Sequence, residues 1–176
     1  MSEYPLMSGK IFQSAFVVEN LEKSLDDFSR DLNIGAWLVV GGHKPWPVTY
    51  RGAQTGLNIK VALGFSGGMM YELIQQCDEA PSVYRGDDGK LAKGFHHWAV
   101  AADDIDSAIR FYEERGYEAV MSIAGRQGLA VYFDARPQLP GIIELIQITP
   151  EFQSFVDGIY GLQRPLSQDG PYIQRL

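Results

Sequence analysis

From Phe12 to Val18 the chain alternates with a period of two, which predicts a strand with Phe12, Ser14, Phe16 and Val18 on one face and Gln13 on the other. Asn20 then reads as a helix N-cap. Leu21, Leu25, Phe28 and Leu32 recur at steps of four, three and four, the stripe of an amphipathic helix that covers the Phe12/Phe16 face, and Gly35 helps end it. Strand-like runs follow at residues 37–40, 57–63 and 69–75, separated by segments rich in Gly and Pro. Residues 10–76 thus predict a β-α-β-β-β module. The order recurs at residues 95–149, with a strand at 95–101, an Asp104 cap, a helix turning Ile105, Ala108, Ile109 and Tyr112 inward, and strand-like runs near 119–123, 129–133 and 141–148.

Short echoes tie the two halves together. Tyr-Glu-Leu-Ile-Gln at residues 71–75 returns as Ile-Glu-Leu-Ile-Gln at 143–147, and Phe12-Gln13 with Asn20-Leu21 returns as His96-His97 with Asp104-Ile105. Gln13 and His97 are 84 residues apart and Glu72 and Glu144 are 72 apart, so the second half is 12 residues shorter in its middle, where hairpins tolerate length change. The expected architecture is α+β: two tandem βαβββ modules whose sheets curl into one cleft, paired within one chain or across a dimer. Residues 77–94, with Pro81, Gly86 and Gly89, form the expected linker and a cleft-edge loop that carries Tyr84. A helix over 151–160, with Phe152, Phe155, Val156 and Tyr160 able to pack, is expected outside the modules or across a partner. The tail at 161–176 has no counterpart in the first half.

Charge narrows the partners. Fifteen Lys plus Arg against 22 Asp plus Glu give a net charge of −7 without a basic run, which argues against nucleic acid and against an anionic membrane surface. A small organic molecule fits better. With no apolar stretch of bilayer length and no signal-peptide pattern after Met1, a cytoplasmic location is expected. The 45% hydrophobic content supports a substantial core. The single Cys77 excludes an internal disulfide and a Cys-rich zinc module, and reads as a partly buried thiol.

Chemistry concentrates at the repeated positions. Period two places Glu72 and Glu144 on the strand faces away from the helices, so sheets curved toward each other bring Gln13, Glu72, His97 and Glu144 to one concave floor. A solvated edge-strand carboxylate is the ordinary fate of a strand Glu; duplication in otherwise apolar strands points instead to a site. Two buried carboxylates beside one imidazole need a shared proton or a cation. A divalent ion is the simplest partner, and the donor set suits Zn²⁺, Ni²⁺, Mn²⁺, Co²⁺ or Mg²⁺ without choosing among them. His97 is in register with Gln13; His96, in register with Phe12, reads as a helix-facing core or loop-packing residue. Trp46, held between Pro45 and Pro47, is the best of the three tryptophans for a pocket wall. His43 is a candidate substrate contact at the cleft rim.

With these residues the chain resembles the vicinal oxygen chelate superfamily, which includes glyoxalase I, methylmalonyl-CoA epimerase, extradiol dioxygenases, fosfomycin-resistance enzymes and bleomycin-resistance proteins. The segments at 16–25, 96–97 with 103–105, 80–84 and both Glu-Leu-Ile-Gln runs are similar to the glyoxalase-like branch near methylmalonyl-CoA epimerase. The resemblance implies that Gln13, Glu72, His97 and Glu144 are metal ligands. It also implies a lyase or isomerase whose metal holds vicinal oxygens of a carbonyl substrate and stabilises an enolate, while Glu144, or else Glu72, moves a proton on the adjacent carbon. Gln13 departs from the His of the epimerases at this place. Lys44, Arg51, Lys60 and Arg126 are the cations available to a CoA or glutathione moiety. The alternative implied is a metal-free binding or resistance protein using the same cleft, and a third is extradiol cleavage, which calls for a second His where Gln13 stands. Relatives also imply a possible homodimer.

Overall fold

The computed structural model describes residues 3–136 and 138–176. In chain order the elements are β1 (Ile11–Val17), α1 (Leu21–Leu32), β2 (Ala36–Gly41), β3 (Trp46–Tyr50), β4 (Ala53–Leu57), β5 (Ile59–Ser66) and β6 (Met69–Gln76). They continue with β7 (Gly94–Ala102), α2 (Ile105–Glu113), β8 (Glu118–Gly125), β9 (Gly128–Asp134), β10 (Ile142–Gln147), α3 (Pro150–Tyr160) and β11 (Tyr172–Arg175). All the strands join one curled sheet in the order β11-β2-β5-β6-β1-β7-β10-β9-β8-β3-β4, the α+β arrangement expected.

The two halves meet where β1 and β7 pair antiparallel, within one chain. Their internal registers match residue for residue: Gln13 lies beside Met70 and Ala15 beside Glu72 in the parallel β1/β6 pair, while His97 lies beside Ile142 and Ala99 beside Glu144 in β7/β10. Each opening helix is capped alike, Asn20 accepting from the Lys23 amide and Asp104 from the Ser107 amide. Leu21, Leu25 and Phe28 of α1 pack on Trp37, Ala62 and Leu73, and Ile105, Ala108, Ile109 and Tyr112 of α2 pack on Phe133, Ile143 and Leu145. Leu32, at the end of the first stripe, is instead exposed.

The 12-residue difference between the halves has a location. β3 and β4 form an extra hairpin, Trp46 to Leu57, inside a segment whose Pro and Gly content predicts loop, so the first half is not the simple β-α-β-β-β expected. The hairpin leaves its own half and pairs through Thr49 and Tyr50 with Ser122 and Met121 of β8, tying the first half to the far edge of the second. Pro47 is tolerated because it precedes the part of β3 that pairs with β8. Phe12 departs from its expected face as well. The β1/β7 register shifts between Ile11 and Gln13, and this bulge turns Phe12 to the cleft side, against Phe152, while Phe16 keeps its contact with Phe28 of α1.

Helix α3 packs within the chain rather than outside the modules. It lies against β5, and its Phe152 and Phe155 face the cleft, while the N-terminal segment holds it down through the Tyr4 amide to Asp157 and the Leu6 amide to Gln153. The tail ends in β11, which adds to the β2 edge in parallel. Cys77 is exposed, not partly buried. Among the described residues no helix is long and apolar enough to cross a membrane.

Candidate metal centre

The centre of the sheet brings four polar side chains together. Across the β1/β7 pair Gln13 stands opposite Ala99 and His97 opposite Ala15, a two-fold relation in which a small residue faces each large polar one. The parallel neighbours of the two alanines are Glu72 and Glu144, so both carboxylates project over cleared ground. Gly141 helps seat β10: a Cβ there would lie 2.7 Å from the Phe95 ring and 3.0 Å from the His96 carbonyl oxygen. Gln13, His97 and Glu144 are buried, and Glu72 is half-buried.

His97 Nε2 lies 3.0 Å from Glu144 Oε2 and 3.2 Å from Glu72 Oε2, yet neither oxygen is aligned to make a hydrogen bond with it. Gln13 Nε2 donates to Glu72 Oε2 at 2.5 Å. One donor atom from each of Glu72, His97 and Glu144 lies within 4.8 Å of the others. A buried imidazole nitrogen without a hydrogen-bond partner, set between two carboxylates, fits a divalent cation. Glu72, His97 and Glu144 would hold it, and rotating the Gln13 amide would offer its Oε1 as a fourth donor.

Burial sets the electrostatics. It raises the Glu72 carboxyl above its ordinary range, against the opposing pull of His97. It also works against a charged His97, but Glu144 and Glu72 outweigh it and raise the imidazole to about 9. His96, buried and beside His97, falls to about 3 and is neutral. Burial, reinforced by the two carboxylates, raises the Tyr84 and Tyr132 phenols well above 10.0. A proton therefore holds this cluster in the metal-free protein. Because the folded His97 value lies above the ordinary 6.5, its contribution to stability is full below that value and is lost as pH rises through about 9. We expect the His97 ring of metal-free protein to titrate near 9 by NMR, with chemical stability falling between those limits; a midpoint at or below 6.5 contradicts the assignment.

A cavity of about 450 Å³ opens above Gln13, Glu72 and Glu144, while His97, fully buried, does not line it. Its floor holds Gln13, Glu72, Tyr84, Tyr132 and Glu144, and its walls are apolar, including Val40, Trp46, Val61, Ile123, Phe152 and Phe155. Trp46 and Tyr84 thus border it, but His43 does not. Gly41 and Gly42, both at positive φ, turn the chain after β2 and leave His43 exposed outside the wall. Arg126 is the one Lys or Arg in the wall among the described residues, and Arg51 is turned away to Asp87. Sequence reasoning missed Tyr132, which stands opposite Glu144 in the β9/β10 register and whose buried phenol that carboxylate helps to raise. Its signal was weak because the corresponding partner of Glu72 is Leu63; the repeat that exposes the glutamates hides the tyrosine.

A family model described as Glyoxalase/Bleomycin resistance protein/Dioxygenase superfamily matches residues 12–133, more than half of the chain. The chain belongs to that superfamily. Solved structures of similar fold include methylmalonyl-CoA epimerase from Mycobacterium tuberculosis, 16% identical over 86% of this chain and 97% of that one, with a TM-score of 0.56. A hypothetical protein from Bacillus halodurans C-125 is 16% identical over 80% of this chain and 94% of its own, with a TM-score of 0.55. No curated protein matches the sequence. At these identities the likeness shows the fold alone, and what this superfamily member does must be argued from its own site.

Proposed function

We propose that this member of the glyoxalase/bleomycin resistance protein/dioxygenase superfamily is a metal-dependent lyase or isomerase that moves a proton on the carbon beside a carbonyl of a small, largely apolar substrate. The observation that carries the proposal is His97 Nε2 held between Glu72 and Glu144, two carboxylates that line an apolar cavity. When bound, a divalent cation supplies positive charge beside the substrate's vicinal oxygens, which acidifies the adjacent C–H. Glu144 is the assigned base and Glu72 the acceptor or donor on the opposite side, each able to carry one proton between ligand and cluster. Trp46, Phe152 and Phe155 exclude water and hold the apolar body. A single Arg126 leaves little to recognise the phosphates of a CoA thioester.

The test is solvent exchange. Metal-reloaded protein is incubated in deuterium oxide with an aryl α-hydroxyketone, hydroxyacetone, an aryl glyoxal hemithioacetal and an acyl-CoA, and isotope incorporation beside the carbonyl is followed by NMR. Expected is metal-dependent exchange stopped by a chelator, with the aryl hydroxyketone favoured over hydroxyacetone by roughly 10- to 100-fold in kcat/KM, the worth of one buried ring. Tight aryl binding that ignores the chelator, with no exchange in any compound, makes the protein a metal-free binder instead.

A further inference from the structure

Two consecutive residues of the segment joining β6 to β7 each hold a buried hydrogen-bonded residue beside the candidate centre. Tyr84 donates to the Tyr132 hydroxyl at 3.1 Å, and Tyr132 stands opposite Glu144 in the β9/β10 register. On the other side the Val83 carbonyl oxygen lies 2.8 Å from His96 Nε2, and His96 Nδ1 lies 2.8 Å from His97 Nδ1. The segment is fastened in turn by Ser82, whose hydroxyl donates to the Gln76 side chain at 2.8 Å.

The contacts from Val83 through His96 to His97 have one consistent proton arrangement. A backbone carbonyl only accepts, so His96 Nε2 carries a proton and donates it to Val83. The two facing Nδ1 atoms share one proton. If it belonged to His96, that ring would be a cation, buried with its other nitrogen on a neutral carbonyl; if it belongs to His97, the charge lies beside two carboxylates. The proton is therefore on His97. We infer that His96 is a positioning residue: its Nδ1 holds His97 in the Nδ1–H form, braced by Val83, and leaves Nε2 as the nitrogen presented to Glu72 and Glu144. The helix-facing option for His96 does not hold, since it sits under the linker against the Tyr84 ring.

A consequence for metal affinity follows, and that part rests on His97 being a ligand. A nitrogen held in one tautomer and orientation binds without first rearranging, and loss of such an outer partner typically weakens a metal site about 10- to 100-fold. Asn places its amide oxygen near the position of an imidazole Nδ1, whereas Leu offers no acceptor, so the two substitutions at His96 separate hydrogen bonding from packing.

The experiment has two arms. In ring-¹⁵N NMR of metal-free wild-type protein, the inference predicts a protonated His97 Nδ1 with a scalar coupling to His96 Nδ1 across the hydrogen bond. In zinc titrations against a chromophoric chelator, H96N is expected to stay within about 3-fold of wild type while H96L weakens by about 10- to 100-fold, with far-UV circular dichroism unchanged. An unprotonated His97 Nδ1, or H96L binding zinc as tightly as wild type, overturns the inference. If H96L does not fold, the wild-type spectrum decides. If wild type binds no zinc, the proposed function fails, and the coupling alone decides the role of His96.

Discussion

His97→Ala is expected to remove stoichiometric divalent metal from the protein and, in the metal-free state, to lower stability by about 3–5 kcal/mol, the usual result of deleting one member of a buried charged cluster. Among the described residues His97 supplies the nitrogen ligand atom in the cluster with Glu72 and Glu144, and it is fully buried. Without it the two carboxylates face each other, with Gln13 donating to Glu72, and one must take a proton. The same loss corresponds to a fall in thermal midpoint of roughly 10 °C for a chain of this size. Elemental analysis and calorimetry of the variant check both effects. Unchanged metal content removes His97 from the ligand set, and unchanged stability contradicts the buried charged cluster.

Glu144→Gln is expected to preserve the fold and to lower the proton-exchange rate by about 10²- to 10⁴-fold, the range that a positioned general base contributes. The substitution is nearly isosteric, and the β10 register beside β7 and β9 needs nothing of the side chain. What disappears is the charge that accepts a proton. Glu72→Gln distinguishes the two carboxylates: a smaller loss there supports Glu144 as the base, and a larger loss exchanges their roles. Activity of Glu144→Gln within a few-fold of wild type would take Glu144 out of the chemistry.

Much of the fold could be read in the chain because it is written twice. Alternation in the strands, the Asn20 and Asp104 caps and the helix stripes are local signals, and the repeat then aligns Gln13 with His97 and Glu72 with Glu144 without knowledge of tertiary structure. The failures fall where the halves differ. The β3/β4 hairpin has no counterpart, follows Pro45 and carries Pro47, Gly52 and Gly56, residues that read as loop, yet its pairing with distant β8 holds it in the sheet. The bulge that turned Phe12 inward adds one residue to a strand, which period-two reasoning cannot see. Docking of α3 over the cavity depends on contacts between segments more than 140 residues apart, such as Tyr4 with Asp157 and Leu6 with Gln153. The pairing of Glu144 with Tyr132 and the seat of His96 beneath Val83 are likewise tertiary facts.

The central claim is that Glu72, His97 and Glu144 form a metal centre. Tag-free protein, stripped by a chelator, reloaded with individual divalent ions and desalted, should retain about one ion per chain, and the Glu72→Ala and His97→Ala variants should retain none. Wild-type protein that keeps no ion under these conditions would contradict the claim.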